Sequence, residues 1–434
     1  MIGLTLHRKG VDILIPSAIS LILMLLSVAY GNVGFLGEFN TYMAAISIVD
    51  WCLILLIYCF FASVLPVWIL LQPRDFINSL QLLFALGLVT VGLVAAAFMG
   101  GAPVGEVRHA LEIVAPAVNL SPADAPPIFP FLFITIACGA ISGFHCLVSS
   151  GTTSKQLKCE TDAQFIGFGA MLTEGFLAVL VILACVAGIG LGSGSENLLG
   201  VEAFESRYSS WSAAGGLPAK VGAFVEGSAN FVKVLGIPSS FAVALMAVFV
   251  ASFAATTLDT ACRLQRYVVQ ELAGSLGGHK AKSPFNPLKL LTNRYAATLF
   301  AIVIAYLIAR LPGADGTAGK GGTILWPLFG AINQLLAGLS FLVITFWLRR
   351  RGLPNLITII PGIMMLLLPL IAMSYNLRTF SEKGNWLLFA IGFITIMLEL
   401  WMIVEASLVW KKVKGVIEPE ATVSKNSHEG GRSC

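Results

Sequence analysis

The sequence predicts an all-α, polytopic membrane protein, and this prediction rests on its charge content, its hydropathy and a series of long apolar windows. Only 12% of the 434 residues are charged, whereas 57% are apolar even before the 43 glycines are counted. Soluble domains average about 25% charged residues, so this charge cannot cover several water-facing domains. The mean hydropathy is +0.86. The net charge of +4 is too small to indicate nucleic-acid binding.

Ten apolar windows are long enough to cross a bilayer, since about 30 Å of hydrocarbon needs about 20 apolar residues in a helix. A lone strand in lipid would leave its backbone groups unpaired, so each span must be helical. The predicted spans are 12–30, 50–71, 77–99, 128–149, 164–190, 239–261, 295–311, 324–348, 354–375 and 386–410. We therefore expect a transmembrane domain over residues 1–410, followed by a polar cytoplasmic tail over residues 411–434.

The distribution of basic residues predicts the orientation. With a cytoplasmic N-terminus, 19 of the 27 lysines and arginines fall in inner segments, as the positive-inside rule requires. An even number of spans then places both termini in the cytoplasm. Residues 218–235 are too short and too charged to span, so they are predicted to form an outer interfacial or re-entrant helix. The acidic, proline-rich residues 100–127 form either an ordered outer cap or a flexible link.

Common enzyme and metal signatures are absent from the sequence. Its five histidines are far apart and lack the HExxH or CxxC companions of a metal site. No GxSxG motif occurs, and no paired histidines within spans could hold a haem. An intramembrane enzyme that used His145 and Glu174 as acid and base would still need a nucleophile and a third group. The sequence therefore predicts a protein that is not an enzyme and that has no metal or other cofactor.

Polar side chains at membrane depth are the main functional signal, because such groups usually face a protein interior or a water-filled path. In the fourth span, two glycines four residues apart indicate either a packing face or, with the hydroxyls and the imidazole that follow, a loosened helix that contacts a solute. The predicted substrate-binding residues are Gly139, Ser142, Gly143, His145, Ser149, Ser150, Thr152, Thr153 and Lys155.

Two carboxylates within the spans are candidates for ion coupling. Glu174 lies ten residues into an apolar span, where it either couples an ion or makes a structural hydrogen bond. Asp259 and Arg263 are four residues apart, which suggests an intrahelical salt bridge at the inner boundary. Alternatively, Asp259 forms a cation or gating site with Ser252 and Thr256 on the same side of the helix. The predicted coupling or gating residues are Glu174, Ser252, Thr256, Asp259 and Arg263.

Interrupted helices favour a transporter over a rigid scaffold. Pro66 interrupts the second span and frees backbone carbonyls that another group must satisfy. Asn333 and Gln334 are adjacent amides inside the eighth span. They either bond neighbouring helices or contact the substrate.

Three segments resemble the carbon starvation protein CstA family. They are residues 62–75, residues 129–145 with the following 149–153, and residues 325–338, which reads LWPLFGAINQLLAG. The segments occur in the family's order. The resemblance implies an inverted-repeat fold of the amino acid, polyamine and organocation (LeuT-like) type. It also implies ion-coupled uptake of peptides or of pyruvate across the bacterial inner membrane during carbon starvation.

Family members usually begin with several further helices, and no such segment precedes Ile13. The expected protein therefore resembles the C-terminal two-thirds of a secondary transporter, and its spans contact membrane lipid. Lys155 or Arg263 would meet a substrate carboxylate, while Glu174 and Asp259 would handle H⁺ or Na⁺. The alternative is a truncated or split-transporter subunit that acts as a non-transporting partner or sensor, with a separate N-terminal polypeptide as a possible partner. No nucleic-acid partner is expected.

Overall fold

The computed structural model describes residues 13–103, 107–194, 198–212, 214, 217–276, 287–313 and 316–413. Their regular structure is almost entirely helical. The α-helices in this part of the chain are α1 (Leu14–Ala29), α2 (Gly34–Ala44), α3 (Ile48–Val64), α4 (Leu71–Met99), α5 (Ile128–Ala140), α6 (Gly143–Gly151), α7 (Asp162–Val186), α8 (Gly200–Tyr208), α9 (Leu217–Val234), α10 (Ser239–Leu276), α11 (Pro287–Leu291), α12 (Arg294–Arg310), α13 (Trp326–Arg350), α14 (Leu356–Glu382) and α15 (Trp386–Val409). The predicted polar tail lies outside the described residues from position 414 onward.

Each predicted span overlaps at least one helix, but the count of ten crossings is not confirmed. Seven helical segments in the described residues are long and apolar enough to cross a membrane. The number rises to eight if α1 and α2, which are bent by 80°, form one broken span. Helices α3 and α12 have only 17 residues each, fewer than the about 20 that a crossing usually needs. The chain is thus a multi-pass helical membrane protein whose number of spans stays a prediction.

The second predicted span is shorter than expected because of Pro66. Helix α3 ends at Val64, and Leu65 is extended with φ −66° and ψ 149°. A proline ring disfavours the helical conformation at the residue before it. Pro66 therefore separates α3 from α4 and does not bend a continuous helix.

The chain divides into two compact units. Unit 1 comprises Met1–Ala125 and Gly167–Arg310, and unit 2 comprises Pro126–Ile166 and Leu311–Cys434. Unit 1 therefore contains α1 to α4 and α8 to α12 together with most of α7. Unit 2 contains α5, α6 and α13 to α15.

Helix α9 confirms the helix predicted for residues 218–235, but it is packed deep in unit 1. Phe231 and Val232 are completely buried in an apolar core that α9 shares with α4 and α10. Gly92 of α4 approaches α9 so closely that an added Cβ would lie 2.7 Å from the carbonyl carbon of Phe231. Only a residue without a side chain allows this approach.

The segment between α4 and α5 is tied to the rest of unit 1 by backbone hydrogen bonds. The Val114 amide donates to the Val186 carbonyl at 2.8 Å, and the Trp211 amide donates to the Ala123 carbonyl at 2.9 Å. For the described part of residues 100–127, these bonds support the ordered alternative over the flexible one.

In unit 2, α14 packs against both α13 and α15. Their shared core includes Leu328, Met373 and Ile396, one from each helix. Helix α13 also packs against α5 and α6. This arrangement places the adjacent amides of α13 beside the junction between α5 and α6.

Candidate functional site

A buried charged cluster lies where α3, α4 and α10 meet in unit 1. Asp259 of α10 is completely buried, and its Oδ2 accepts a 2.8 Å hydrogen bond from the Tyr58 hydroxyl. Nη1 of Arg74 forms an ion pair with the same oxygen and donates to the Tyr58 hydroxyl at 3.0 Å. We call Tyr58, Arg74 and Asp259 the Asp259 cluster. Hydrogen bonds between ionised groups are about twice as strong as neutral ones, so the cluster joins the three helices firmly.

Arg263, the predicted partner of Asp259, contacts the backbone of α3 instead. Its Nη2 donates to the carbonyl oxygens of Ala62 at 2.5 Å and Leu65 at 2.6 Å. The Ala62 carbonyl lies four residues before Pro66, which has no N–H to donate to it. The prediction that another group must satisfy the carbonyls freed at Pro66 is therefore confirmed. The predicted intrahelical salt bridge is wrong for this structure, because Asp259 pairs with Arg74.

Polar residues follow one face of α4 at the helical spacing i, i+4 and i+7. Arg74 belongs to the Asp259 cluster, and the Oδ1 of Asn78 accepts a 3.0 Å hydrogen bond from the Ser252 hydroxyl of α10. Gln81 is 1% exposed, and neither of its amide atoms has a hydrogen-bond partner among the described residues. Sequence reasoning missed this stripe and Tyr58. The signal that could have found the stripe was its i, i+4 and i+7 spacing along α4.

The other two members of the predicted coupling set stand apart from the Asp259 carboxylate. The Thr256 hydroxyl donates to the carbonyl of Phe253 on its own helix at 2.8 Å. Glu174 is exposed on α7, whose buried residues Leu180 and Ala184 lie nearer its C-terminal end. Their predicted roles remain predictions.

A helix break in unit 2 confirms the loosening predicted for the fourth span. Ile141 has φ −134° and ψ 66°, and Ser142 has φ −83° and ψ 128°, so both leave the helical conformation between α5 and α6. Asn333 of α13 pairs with the freed polar groups. Its Oδ1 accepts from the Phe144 amide at 2.9 Å, while its Nδ2 donates to the Cys138 carbonyl at 3.2 Å and to the Ser142 hydroxyl at 3.0 Å.

The neighbouring amide and glycine strengthen the same junction. Nε2 of Gln334 donates to the carbonyl of Ile134 at 2.5 Å. Gly143 packs so tightly against α13 that an added Cβ would lie 2.5 Å from the Cβ of Leu336. In this conformation Asn333 and Gln334 therefore bond neighbouring helices, which was one of the two predicted alternatives. Gly139 differs, because nothing lies within 4 Å of the position its Cβ would take.

The remaining predicted substrate residues lie on α6 and the 3₁₀ turn after it. His145, Ser149 and Ser150 are exposed, whereas Thr152 is buried. The hydroxyls of Ser149 and Thr152 donate to carbonyls of α6 at 2.9 and 2.8 Å. His145 and Ser149 are one helical turn apart, so α6 carries an exposed polar face. Thr153 and Lys155 begin and end the 3₁₀ turn Thr153–Lys155.

A further polar network holds α9 in unit 1. Nδ2 of Asn230 donates to the carbonyls of Gly188 at 2.8 Å and Gly192 at 2.7 Å, and the Lys233 ammonium donates to Oδ1 of Asn230 at 2.9 Å. Burial lowers the pKa of Lys233, while the nearby Glu226 carboxylate opposes this shift. This network joins α9 to the backbone that directly follows α7.

The described residues contain no group of three or more His, Cys, Asp or Glu side chains that could hold a metal ion. The Asp259 cluster pairs a completely buried carboxylate with a guanidinium group that is partly exposed.

Comparison with known proteins identifies relatives over most of the chain. The family model described as "Carbon starvation protein CstA" matches residues 1–372. The chain is 33% identical over 377 residues to the "Peptide transporter CstA" of Mycobacterium tuberculosis strain H37Rv, a match that covers 77% of this chain and 47% of the relative. It is 30% identical over 413 residues to the protein of the same name in Campylobacter jejuni, with 85% of this chain and 54% of the relative covered.

A relative with a different substrate in its name matches as well. The "Pyruvate/proton symporter BtsT" of Escherichia coli K12 is 30% identical over 383 residues, which cover 71% of this chain and 48% of the relative. The chain thus spans about half the length of the curated relatives it matches. No solved structure gives a significant match.

Proposed function

Because the chain belongs to the carbon starvation protein CstA family, we propose that it takes part in ion-coupled uptake of peptides or of small carboxylates such as pyruvate. Its relatives are named as peptide transporters and as a pyruvate/proton symporter, not as enzymes. The proposed site of action is the bacterial inner membrane during carbon starvation, with both termini in the cytoplasm.

The observation that supports coupling is the buried Asp259 cluster. A charged group inside a membrane protein is costly, and such groups usually serve ion or proton pathways. Because Arg74 and Asp259 join α4 to α10, the binding of H⁺ or Na⁺ at Asp259 would compete with Arg74 for the carboxylate. Ion binding would then change how tightly the two helices are held, which is the differential interaction that coupled transport requires.

The proposed substrate contacts lie at the break between α5 and α6. His145, Ser149 and Ser150 are exposed there, and a broken helix offers polar groups at membrane depth. Lys155, at the end of the following turn, would attract the carboxylate of a peptide or of pyruvate. Asn333 would keep the break open and ordered by satisfying its backbone.

We also propose that a second polypeptide completes the transporter. Glu174 is exposed on α7, and a carboxylate at that depth is more stable against a polar partner than against lipid.

Proteoliposome uptake tests the proposal. We expect an inward proton or sodium gradient to drive accumulation of a labelled peptide or of pyruvate by the wild-type chain, with its partner if one co-purifies. Asp259→Asn should reduce gradient-driven uptake about tenfold or more, because losing the carboxylate removes the ion's ligand. Asp75→Asn is the matched control, since Asp75 pairs with the same arginine but is exposed.

Three outcomes would contradict the proposal. The first is the absence of uptake under either gradient, with or without a co-purified polypeptide. The second is equal gradient-driven uptake by the wild type and Asp259→Asn. The third, which concerns the substrate site alone, is uptake unchanged by Gly143→Leu.

A further inference from the structure

A buried carboxyl group in unit 2 has no part in the function proposed above. Glu399 lies near the middle of α15 and is only 1% exposed. Its Oε1 has no hydrogen-bond partner among the described residues. Buried carboxylates are normally paired or hydrogen-bonded, because the ionised form loses its hydration on burial.

The helices packed against α15 supply no counter-charge at the depth of Glu399. The main ones are α13 and α14, and residues 327–346 and 357–374 contain no Asp, Glu, Lys, Arg or His. The other titratable side chains of the three helices are Arg349, Arg350, Tyr375, Arg378, Glu382 and Glu405.

Tyr375, the nearest of these groups on α14, is still distant from Glu399 along the helix axis. Helices α14 and α15 are joined by a short turn at Gly384, so Pro369 and Glu399, each 15 residues from that glycine, lie at about the same level. Tyr375 is six residues from Pro369, or about 9 Å along the axis at 1.5 Å per residue. No Asp, Glu, Lys, Arg or His side chain of α13 or α14 therefore lies at the level of Glu399.

The missing counter-charge and the unpartnered oxygen together favour the neutral acid. An ionised carboxylate can only accept hydrogen bonds, and no described residue donates one to Oε1 of Glu399. Protonation removes the cost of burying a charge that has no partner.

We infer that Glu399 is a proton-binding site of unit 2, separate from the Asp259 cluster. In the conformation described, its carboxyl oxygen holds a proton. The O–H bond breaks, and the proton passes to water, when a movement of α15 exposes the group. The binding of the proton stands independently of the proposed function, and only its use in coupling rests on that function.

Infrared spectroscopy of the purified full-length chain tests this inference. We expect a C=O stretching band of a protonated, buried carboxyl group that persists at neutral pH, where an ordinary glutamate with a pKa of about 4.3 is ionised. Glu399→Gln should lose this band. Glu405→Gln is the matched control on the same helix and should keep it, because Glu405 is exposed.

Folding can be checked separately, because Gln has the shape of a neutral glutamic acid. Both Glu399→Gln and the apolar Glu399→Met should unfold at nearly the wild-type temperature if the native group is uncharged. An absent band in the wild type at neutral pH, or a band that survives Glu399→Gln, would overturn the inference. If neither variant folds, the pH titration of the wild-type band decides by itself.

The measurement also separates this inference from the proposed function. It needs no substrate and no gradient, so the band can be present in a chain that transports nothing. If uptake is proton-driven, Glu399→Gln should in addition lose the stimulation by the proton gradient. Full stimulation in that variant would show that Glu399 has no part in coupling.

Discussion

At the scale of single residues, the buried carboxylate of Asp259 is stabilised by two donors that both reach its Oδ2. Arg74 supplies the charge, and Tyr58 supplies a hydroxyl at 2.8 Å. The pair is asymmetric, because Asp259 is completely buried while the Arg74 side chain is 19% exposed. Removing one partner of a buried pair leaves the other charge uncompensated. Replacing both partners avoids that penalty.

The burial of Asp259 predicts the outcome of a double-mutant cycle on this pair. Arg74→Met should destabilise the protein by about 3–5 kcal/mol, because it leaves Asp259 buried without a counter-charge. The double variant Arg74→Met, Asp259→Leu should recover most of that loss. Thermal unfolding in detergent measures both effects. Losses that simply add would contradict the pairing seen here.

An exposed ion pair serves as the control for this cycle. Arg378 and Glu382 pair at 2.9 Å, but their side chains are 82% and 63% exposed. Glu382→Gln should therefore change stability by less than about 1 kcal/mol.

At the scale of elements, the junction of α5 and α6 with α13 depends on a close approach of backbones. Asn333 satisfies the groups freed at the break, and Gly143 allows the amide to come near enough to do so. The two glycines of the fourth span share a small-residue spacing, yet only one of them lies at this contact. The structure therefore separates a packing glycine from a free one.

Alanine substitutions at the two glycines test that distinction. Gly143→Ala should destabilise the protein by about 1–3 kcal/mol, because the new Cβ overlaps the Asn333 carbonyl and the Leu336 side chain. Gly139→Ala meets open space and should be neutral or slightly stabilising, since Ala favours a helix. Unfolding of the two variants under the same conditions measures the difference. Equal effects would show that the contact at Gly143 does not contribute to stability.

At the scale of the whole molecule, the basic residues constrain the orientation in the membrane. The predicted cytoplasmic termini follow from 19 of 27 basic residues lying in alternate segments. The segment between α4 and α5 is predicted to lie on the opposite side. It is acidic and contains Ser121, which is exposed.

Labelling with a membrane-impermeant thiol reagent tests this orientation. In single-cysteine variants, Cys434 should react only in inside-out vesicles, and Ser121→Cys only in intact spheroplasts. Cys59 is completely buried and should react in neither preparation. Labelling of Cys434 from outside the cell would reverse the predicted topology.

Much of the helical framework and part of the candidate site could be predicted before the structure was known. The apolar windows locate helices because lipid leaves a backbone no other way to satisfy its own groups. The loosened fourth span was predictable from its glycines and hydroxyls, and the need to satisfy carbonyls near Pro66 followed from proline chemistry. Tyr58 was not predicted, because its partners Arg74 and Asp259 lie on other helices. Glu399 was missed although, like Glu174, it is a lone carboxylate within an apolar span.

The sequence by itself determined that the protein lies in a membrane and roughly where its helices lie, since these depend on composition and on local hydropathy. Its family was evident from three sequence segments. Only the tertiary structure decided which polar groups meet. Asp259 has Arg263 four residues away, yet it pairs with Arg74, 185 residues distant in the chain. Arg263 instead reaches Ala62 and Leu65. Local spacing shows which groups could pair, whereas helix packing places the competing groups and so determines which pairs form.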